Sequence, residues 1–366
     1  MNFSWQQRCV VIVAGGTGGH VFPALAIAQA LREQGANVQW IGTSKGIEAR
    51  VVPANDFPLT CVDVQGLRQK GWKRLLLAPW QLLLAVKQVF LLLRLWRADL
   101  VLGMGGYAAG PVGVAAWLTR TPLVIHEQNA EPGLTNRLLA RIAARVLLGF
   151  PNRLQQLATA KRVVQVTGNP LRAQLLQAAQ QPRVPAEGRA WRLLVVGGSL
   201  GAAALNECLP QALALLPESQ RPEVRHQTGE KAVPATEQAY QAAGVAAQVC
   251  AFIEDMAAAY HWADMVVARA GALTVSELAV MGRACILVPY PFAVDDHQTK
   301  NAEYLVKVGA AELIPQAQLT PQALAACLNP LSSAIQLWWQ RGDCARLAAY
   351  PHATDDICGA LQQVLS

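Results

Sequence analysis

The chain has 366 residues, 53% of them hydrophobic and 15% charged, with a mean hydropathy of +0.23. At roughly 150 residues per domain this predicts two α/β domains with large cores, a cleft between them as the default ligand site, and no disordered chain. A formal charge of +7 suits an anionic partner, whether nucleic acid, an acidic membrane surface or a phosphorylated substrate, and does not choose among them. Eight scattered cysteines (Cys9, Cys61, Cys208, Cys250, Cys285, Cys327, Cys344, Cys358) form no CxxC pair, lie mostly in apolar stretches, and read as buried, reduced thiols of a cytosolic protein.

The first eight residues run into an apolar segment too short for a signal peptide and without a cleavage site, so residues 10–14 are expected to be a first strand. Short apolar runs then alternate with helical segments, the pattern of a parallel sheet wrapped by helices. Further strands are expected at 38–41, 100–103, 123–126 and 163–166, the last closed by the turn residues Gly168-Asn169-Pro170. After a polar stretch at 181–189, a second block opens at Trp191. It repeats the opening: strand, Gly197-Gly198-Ser199, then Gly201 and a helix, against Gly15-Gly16-Thr17, Gly18-Gly19 and a helix.

Glycines directly after a buried strand let the backbone turn tightly beside a ligand, and the helix that follows offers unpaired N–H groups to phosphate or sugar hydroxyls. The alternative is that they only pack helix against strand. A dinucleotide site does not fit, because the first turn lacks the third glycine of GxGxxG and the second strand ends at Ile41-Gly42 without an acidic residue. GxxxxGK[ST] is absent as well. Gly103, Gly105, Gly106 and Gly110 follow another strand and could form a second anion cradle beside Tyr107, or could again serve packing.

Polar groups cluster in four segments near strand ends or helix starts. His126-Glu127-Gln128-Asn129 follows the strand at 123–126 at the edge where open α/β sheets bind ligands; a polar loop start is the other reading. His20 stands in the first turn of a helix, where a neutral imidazole could act as base toward a sugar hydroxyl, bind a phosphate or cap the helix. Thr274 and Glu277 have capping-box spacing, so Glu277 either caps or accepts from a ribose diol. Asp295 or Asp296 serves as an N-cap before Gln298. No spaced DxD pair occurs to clamp a divalent ion, leaving helix N-termini to face a diphosphate.

Residues 75–93 approach the ~20 apolar residues of a transmembrane helix, but Pro79, Gln81, Lys87 and Gln88 interrupt them. Flanking Lys70, Lys73, Arg74, Arg94 and Arg97, with Trp72, Trp80 and Trp96, favour a helix lying on an anionic membrane over one that crosses it; a helix half-buried against the sheet is the alternative.

These segments together resemble the MurG family of bacterial peptidoglycan N-acetylglucosaminyltransferases over nearly the whole chain. The carriers are residues 14–23, 103–110, 126–129, 168–170, 197–199, 252–256 and 271–277. The resemblance implies an α/β fold of GT-B type, two Rossmann-like domains with parallel sheets facing across a cleft: residues 1–168 for acceptor and membrane, 169–344 for the donor, and a C-terminal helix at about 345–366 packing back on the first. It implies inverting, metal-independent transfer of GlcNAc from UDP-GlcNAc to the 4-hydroxyl of the muramyl pentapeptide on undecaprenyl pyrophosphate, at the cytoplasmic face of the inner membrane, without cofactor or nucleic acid. The expected catalytic residues are His20, with Glu127 as rival base. Donor binding falls to Thr17, Gly18, Gly19, Asn129, Arg172, Ser199, Ile253, Ala272, Leu273, Thr274, Val275, Ser276, Glu277 and Gln298, and acceptor binding to Gly105, Gly106 and Tyr107. Leu200 and His297 depart from the glutamines some relatives carry, which makes the sugar contact at His297 the less certain. A UDP-sugar transferase acting on another membrane lipid is the alternative activity.

Overall fold

The computed structural model describes residues 4–62, 72–160, 162–184, 188–198, 201–332 and 334–366. They form two compact units, the first running to Arg172 and completed by His352–Ser366, the second Ala173–Pro351. The return to the first unit therefore begins at His352, later than the expected 345.

In the first unit, β1 (Cys9–Val13) leads to α1 (Gly18–Glu33), β2 (Asn37–Gly42), a single turn α2 (Glu48–Val51), β3 (Leu59–Cys61) and the long α3 (Trp72–Leu95). Then come β4 (Leu100–Gly103), α4 (Ala109–Thr119), β5 (Leu123–Glu127), α5 (Leu134–Leu139), β6 (Arg145–Leu148) and β7 (Val163–Val166). The seven strands are all parallel in the order β3-β2-β1-β4-β5-β6-β7. The β-branched run of β1 alternates between two cores. Val10, Ile12 and Ala14 join α1 on one face, while Cys9, Val11 and Val13 join α3 and α4 on the other. Burial on both faces is why the run is apolar without interruption. The sequence did not show β3 and β6: the first has three residues at a sheet edge, and the second follows directly on an Ala- and Arg-rich stretch that reads as helix.

In the second unit, α6 (Ala173–Ala179) precedes β8 (Arg192–Val196), α7 (Ala203–Ala214), β9 (Glu223–Gln227), α8 (Val233–Ala242), β10 (Gln248–Cys250), α9 (Met256–Trp262) and β11 (Met265–Ala268). After these come α10 (Ala272–Met281), β12 (Cys285–Leu287), α11 (His297–Lys307), β13 (Ala311–Leu313), α12 (Pro321–Ser332) and α13 (Ile335–Leu347). Its parallel sheet has the order β10-β9-β8-β11-β12-β13. Each sheet reverses its winding beside its first strand, between β1 and β4 and between β8 and β11, and ligands of open α/β sheets bind at such points. The last helix, α14 (Ala353–Leu365), sets Ile357, Cys358 and Leu361 into the first unit's core beside α1.

Of the cysteines, Cys9, Cys208, Cys285 and Cys358 are buried as expected and Cys61 is exposed, because it ends the edge strand β3. No helix among the described residues is long and apolar enough to cross a membrane. α3 packs through Ala85, Val86, Val89 and Leu93, leaving Leu91 and Leu95 outside, the latter 76% exposed.

Candidate active site

The first glycine turn joins β1 to α1. Thr17 is the N-cap, in extended conformation and without a side-chain capping bond, and Gly18, Gly19 and His20 form the first helical turn. Their N–H groups have no helical carbonyl to bond except at His20, which donates to the Thr17 carbonyl (3.1 Å). Pro23, five residues into the helix, cannot donate to the Gly19 carbonyl. His20 Nδ1 lies 3.2 Å from the Gly15 carbonyl oxygen and 3.5 Å from Thr17 Oγ1. A carbonyl can only accept, so Nδ1 carries the proton and Nε2 the lone pair.

Gly105 and Gly106 come to this turn from the end of β4, in the left-handed region at φ 104° and 90°. A Cβ on Gly105 would fall 2.8 Å from His20 Cδ2, and one on Gly106 2.5 Å from the Gly15 carbonyl oxygen. These expected acceptor residues are thus glycines because two turns meet there, with Tyr107 exposed beside them.

Glu127 is buried at the end of β5. Its Oε1 accepts from Asn129 N (3.0 Å) and Nδ2 (3.2 Å), its Oε2 from Gly133 N (3.1 Å) and Asn136 Nδ2 (2.9 Å). Four donors hold the carboxylate to its own loop. His126 is fully buried; Nε2–H donates to the Gly168 carbonyl (2.9 Å) and Nδ1 accepts from Gln128 Nε2 (3.2 Å), which also donates to the Met104 carbonyl (2.8 Å). Burial lowers its pKa to about 4. The polar run after β5 therefore ties together the ends of β4, β5 and β7, with Asn129 half-exposed beyond it.

In the second unit, α10 begins at Ala272 with Gly271 as N-cap, so Thr274 lies inside the first turn and no capping box forms. The capping reading of Glu277 is overturned: its Oε2 accepts from Tyr260 OH (3.0 Å) across from α9. Ala272 and Val275 face the core and can offer a ligand only their backbone, Leu273, Thr274 and Glu277 are half-exposed, and the Ser276 hydroxyl donates back to the Ala272 carbonyl (3.0 Å). Ile253 is half-exposed before α9, and Arg172 is exposed at the end of the first unit. Ser199 and Leu200 lie outside the described residues.

Asp296 is the N-cap of α11 by position only. It and Asp295 both take left-handed conformations (φ 52° and 54°), and no side chain caps the helix; Asp296 Oδ1 accepts instead from the Thr299 hydroxyl (2.7 Å). Two successive non-glycine residues there are costly, and aspartate bears this better than most. The bend aims the helix so that Gln298 Oε1 accepts from Tyr290 N (2.9 Å), leaving Nε2 as its donor. His297 Nδ1 bonds back to the Val294 carbonyl. A cavity of about 580 Å³ between α6 and α9, lined by Gln177, Gln181, Asp255 and Trp262 among others, includes none of the expected donor residues. Among the described residues no three His, Cys, Asp or Glu side chains gather as a metal site.

Residues 10–148 match the glycosyltransferase family 28 N-terminal domain and residues 192–349 its C-terminal domain. The chain is 54% identical to the UDP-N-acetylglucosamine–N-acetylmuramyl-(pentapeptide) pyrophosphoryl-undecaprenol N-acetylglucosamine transferase of Alkalilimnicola ehrlichii, over 95% of this chain and 96% of that one. It is 50% identical to the enzyme of the same name from Marinobacter nauticus, over 96% of both. The crystal structure of Acinetobacter baumannii MurG superposes with a TM-score of 0.82 at 40% identity, over 97% of this chain and 99% of that one. The chain belongs to the MurG family of glycosyltransferases. Its fold is the family's GT-B type. A UDP-GlcNAc 2-epimerase from Neisseria meningitidis, 12% identical with a TM-score of 0.66, shares that fold alone.

Glu48, Tyr260 and Asp264 were not singled out in the sequence. An acid two residues after Gly46, at the start of α2 in the connection that follows β2, is the one available signal for Glu48.

Proposed function

We propose that this chain transfers N-acetylglucosamine from UDP-N-acetylglucosamine to the 4-hydroxyl of the N-acetylmuramyl-(pentapeptide) carried on undecaprenyl pyrophosphate, giving lipid II for peptidoglycan synthesis. The near full-length identity to enzymes of that name supports the substrates. One observation supports the chemistry above the others: His20, at a sheet switch point, is held through Nδ1 by a carbonyl, which makes Nε2 the basic nitrogen of the ring. Nε2 takes the proton from the acceptor 4-hydroxyl as that oxygen bonds to the anomeric carbon. The bond from that carbon to the UDP oxygen breaks on the opposite face, so configuration inverts in one displacement and UDP leaves with the bond pair. Glu127, committed to four donors, serves as loop anchor in this reading and not as base.

Thr17, Gly18, Gly19 and Asn129 line the transferred sugar, and Gly105, Gly106 and Tyr107 the acceptor side. Arg172, Ser199 and the first-turn N–H groups of α10 meet the donor diphosphate, where oriented N–H dipoles stabilise the departing charge. The Ile253 backbone reads uracil, Glu277 accepts from the ribose diol while Tyr260 holds its second oxygen, and Gln298 Nε2 binds the GlcNAc. Transfer proceeds without a divalent ion or other cofactor, a reading supported by the lack of a spaced carboxylate pair in the sequence.

The protein works as a peripheral protein on the cytoplasmic face of the inner membrane. Support comes from apolar side chains left outside on three successive helices of the first unit: Leu91 and Leu95 on α3, Trp117 and Leu118 on α4, Leu134 and Leu138 on α5. The deciding assay follows labelled GlcNAc from UDP-GlcNAc into a lipid-pyrophosphate muramyl acceptor, with and without EDTA. Equal incorporation in both supports the reading, loss with EDTA overturns its metal-independent part, and no incorporation overturns the activity.

A further inference from the structure

Glu48 is fully buried at the start of α2, directly behind the first glycine turn. Its Oε1 accepts from the backbone N (3.0 Å) and hydroxyl (2.6 Å) of Thr43, and its Oε2 from Gly16 N (2.9 Å). The space it occupies is made by glycines: a Cβ on Gly15 or Gly46 would overlap the carboxylate, and one on Gly42 would come within 2.7 Å of Glu48 Cγ. The Gly16 N–H that Glu48 holds and the Gly15 carbonyl that holds His20 Nδ1 belong to the same peptide group. In a trans peptide these two ends point in opposite directions, so the carboxylate, the peptide and the imidazole stand in one hydrogen-bonded line.

We propose that Glu48 is a positioning residue for the transfer, acting on His20 across the Gly15–Gly16 peptide. A buried negative charge on the N–H end polarises the peptide and makes its carbonyl a stronger acceptor. The stronger acceptor holds the Nδ1–H tautomer, fixes the ring plane and raises the proton affinity of Nε2, as a carboxylate bound directly to a histidine does. The chain thereby obtains a carboxylate–histidine pair with a backbone amide between its members, and the carboxylate stays dry behind the turn. The inference rests on the reading of His20 as base for its catalytic meaning; the coupling itself does not. The titratable and charged groups on the elements around the turn are Arg32 and Glu33 at the far end of α1, Lys45, Glu48, Arg50 and Asp56 between β2 and β3, Tyr107 after β4, and His126 and Glu127 on β5. The last two are committed to Gly168 and to the loop at 129–136.

The test is an NMR titration of the ring nitrogens of His20 in the full-length chain, assigned by the signals missing from His20→Ala, in wild type and in Glu48→Gln. A glutamine keeps the shape, loses the charge and sets an NH2 group against donors. The wild-type ring is expected as the Nδ1–H tautomer, and its midpoint should fall by roughly 0.5–1 pH unit in Glu48→Gln, with the Nε2–H form gaining population. The kcat should fall about three- to tenfold, its acid limb following the NMR midpoint, while KM for UDP-GlcNAc stays within about twofold. An unmoved midpoint and tautomer in a folded Glu48→Gln protein that binds UDP-GlcNAc overturns the proposal. Should that variant not fold, Thr43→Val removes a donor from the same carboxylate and strengthens its hold on Gly16 N–H. The His20 midpoint should then rise, and an unchanged or lower one overturns the proposal. Near-normal turnover by His20→Ala would instead overturn the role of His20 as base, which the titration does not presuppose.

Discussion

Lowering the pH from 7.5 to 5.0 should destabilise both units through two buried histidines. His126 in β5 has its pKa brought down from 6.5 to about 4 by burial, opposed in part by the bond to the Gly168 carbonyl. His226 in β9 is brought down to about 3 by burial alone, with Nδ1 3.0 Å from Tyr240 OH. In each case the folded value lies below the unfolded one, so the unfolded chain takes up the proton first as the pH falls. The stability from the neutral rings is whole above the unfolded pKa of about 6.5 and is lost as the pH falls from there toward the folded values. At pH 5.0, some 1.5 units into that window and at about 1.4 kcal/mol per unit, each histidine costs its own unit about 2 kcal/mol. The assay is urea unfolding of wild type, His126→Asn and His226→Asn at both pH values, with hydrogen exchange in β5 and β9 separating the units. Whatever each asparagine costs at pH 7.5, its unit should lose about 2 kcal/mol less than wild type on acidification. Equal losses in wild type and variants would refute the reasoning.

Glu277→Gln should raise KM for UDP-GlcNAc about tenfold with kcat within about threefold, since a ribose contact made equally in ground and transition states alters binding alone; steady-state kinetics across donor concentration reads this. Leu91→Glu combined with Trp117→Glu places charge on two exposed apolar helices and should abolish sedimentation with anionic liposomes at low salt while leaving the urea midpoint within about 0.5 kcal/mol. Asp264, 4% exposed, accepts from both Arg189 nitrogens (2.7 and 2.9 Å) and from Arg192 N (2.8 Å). Asp264→Ala leaves Arg189 with the Ala190 and Val184 carbonyls but removes its carboxylate partner and the acceptor for Arg192 N, and should cost the second unit about 1–3 kcal/mol, read by urea unfolding.

The fold was legible where strands are buried on both faces, because an apolar run such as β1 or β8 between glycine turns has few other uses. β3 and β6 escaped for the opposite reason: one is short and at an edge, the other merges into helix-like sequence. The site was legible at the strand ends as a set of positions and much less so as a set of roles. His126, Glu127 and Gln128 stand together in sequence as though all met a ligand, yet they spend their hydrogen bonds on the ends of neighbouring strands and on their own loop. Capping-box spacing at Thr274 and Glu277 misled because α10 starts at Ala272, and only the hydroxyl of Tyr260, distant in sequence, shows what Glu277 faces. Spacing reports which residues share an element; which lone pairs are already taken depends on partners brought from elsewhere in the fold.

The two glycine turns make the same point from inside one molecule. Their sequences look alike, strand then Gly-Gly-hydroxyl then helix, and both sit at the switch point of a parallel sheet. Behind Gly201 lies backbone: a Cβ there would strike the Thr228 carbonyl, so that turn is shaped by close packing against the end of β9. Behind Gly15 and Gly16 lies the Glu48 carboxylate, brought from the connection after β2. A turn backed by neutral backbone keeps the positive end of its helix for an anion such as a diphosphate, whereas a carboxylate bound to the turn offsets that potential and favours a proton acceptor at His20. The chemical difference between the halves therefore needs two residues, His20 within the motif, where the second turn has Ala202, and Glu48 outside it. Removing the charge of Glu48 should bring the first turn toward the anion-binding character of the second.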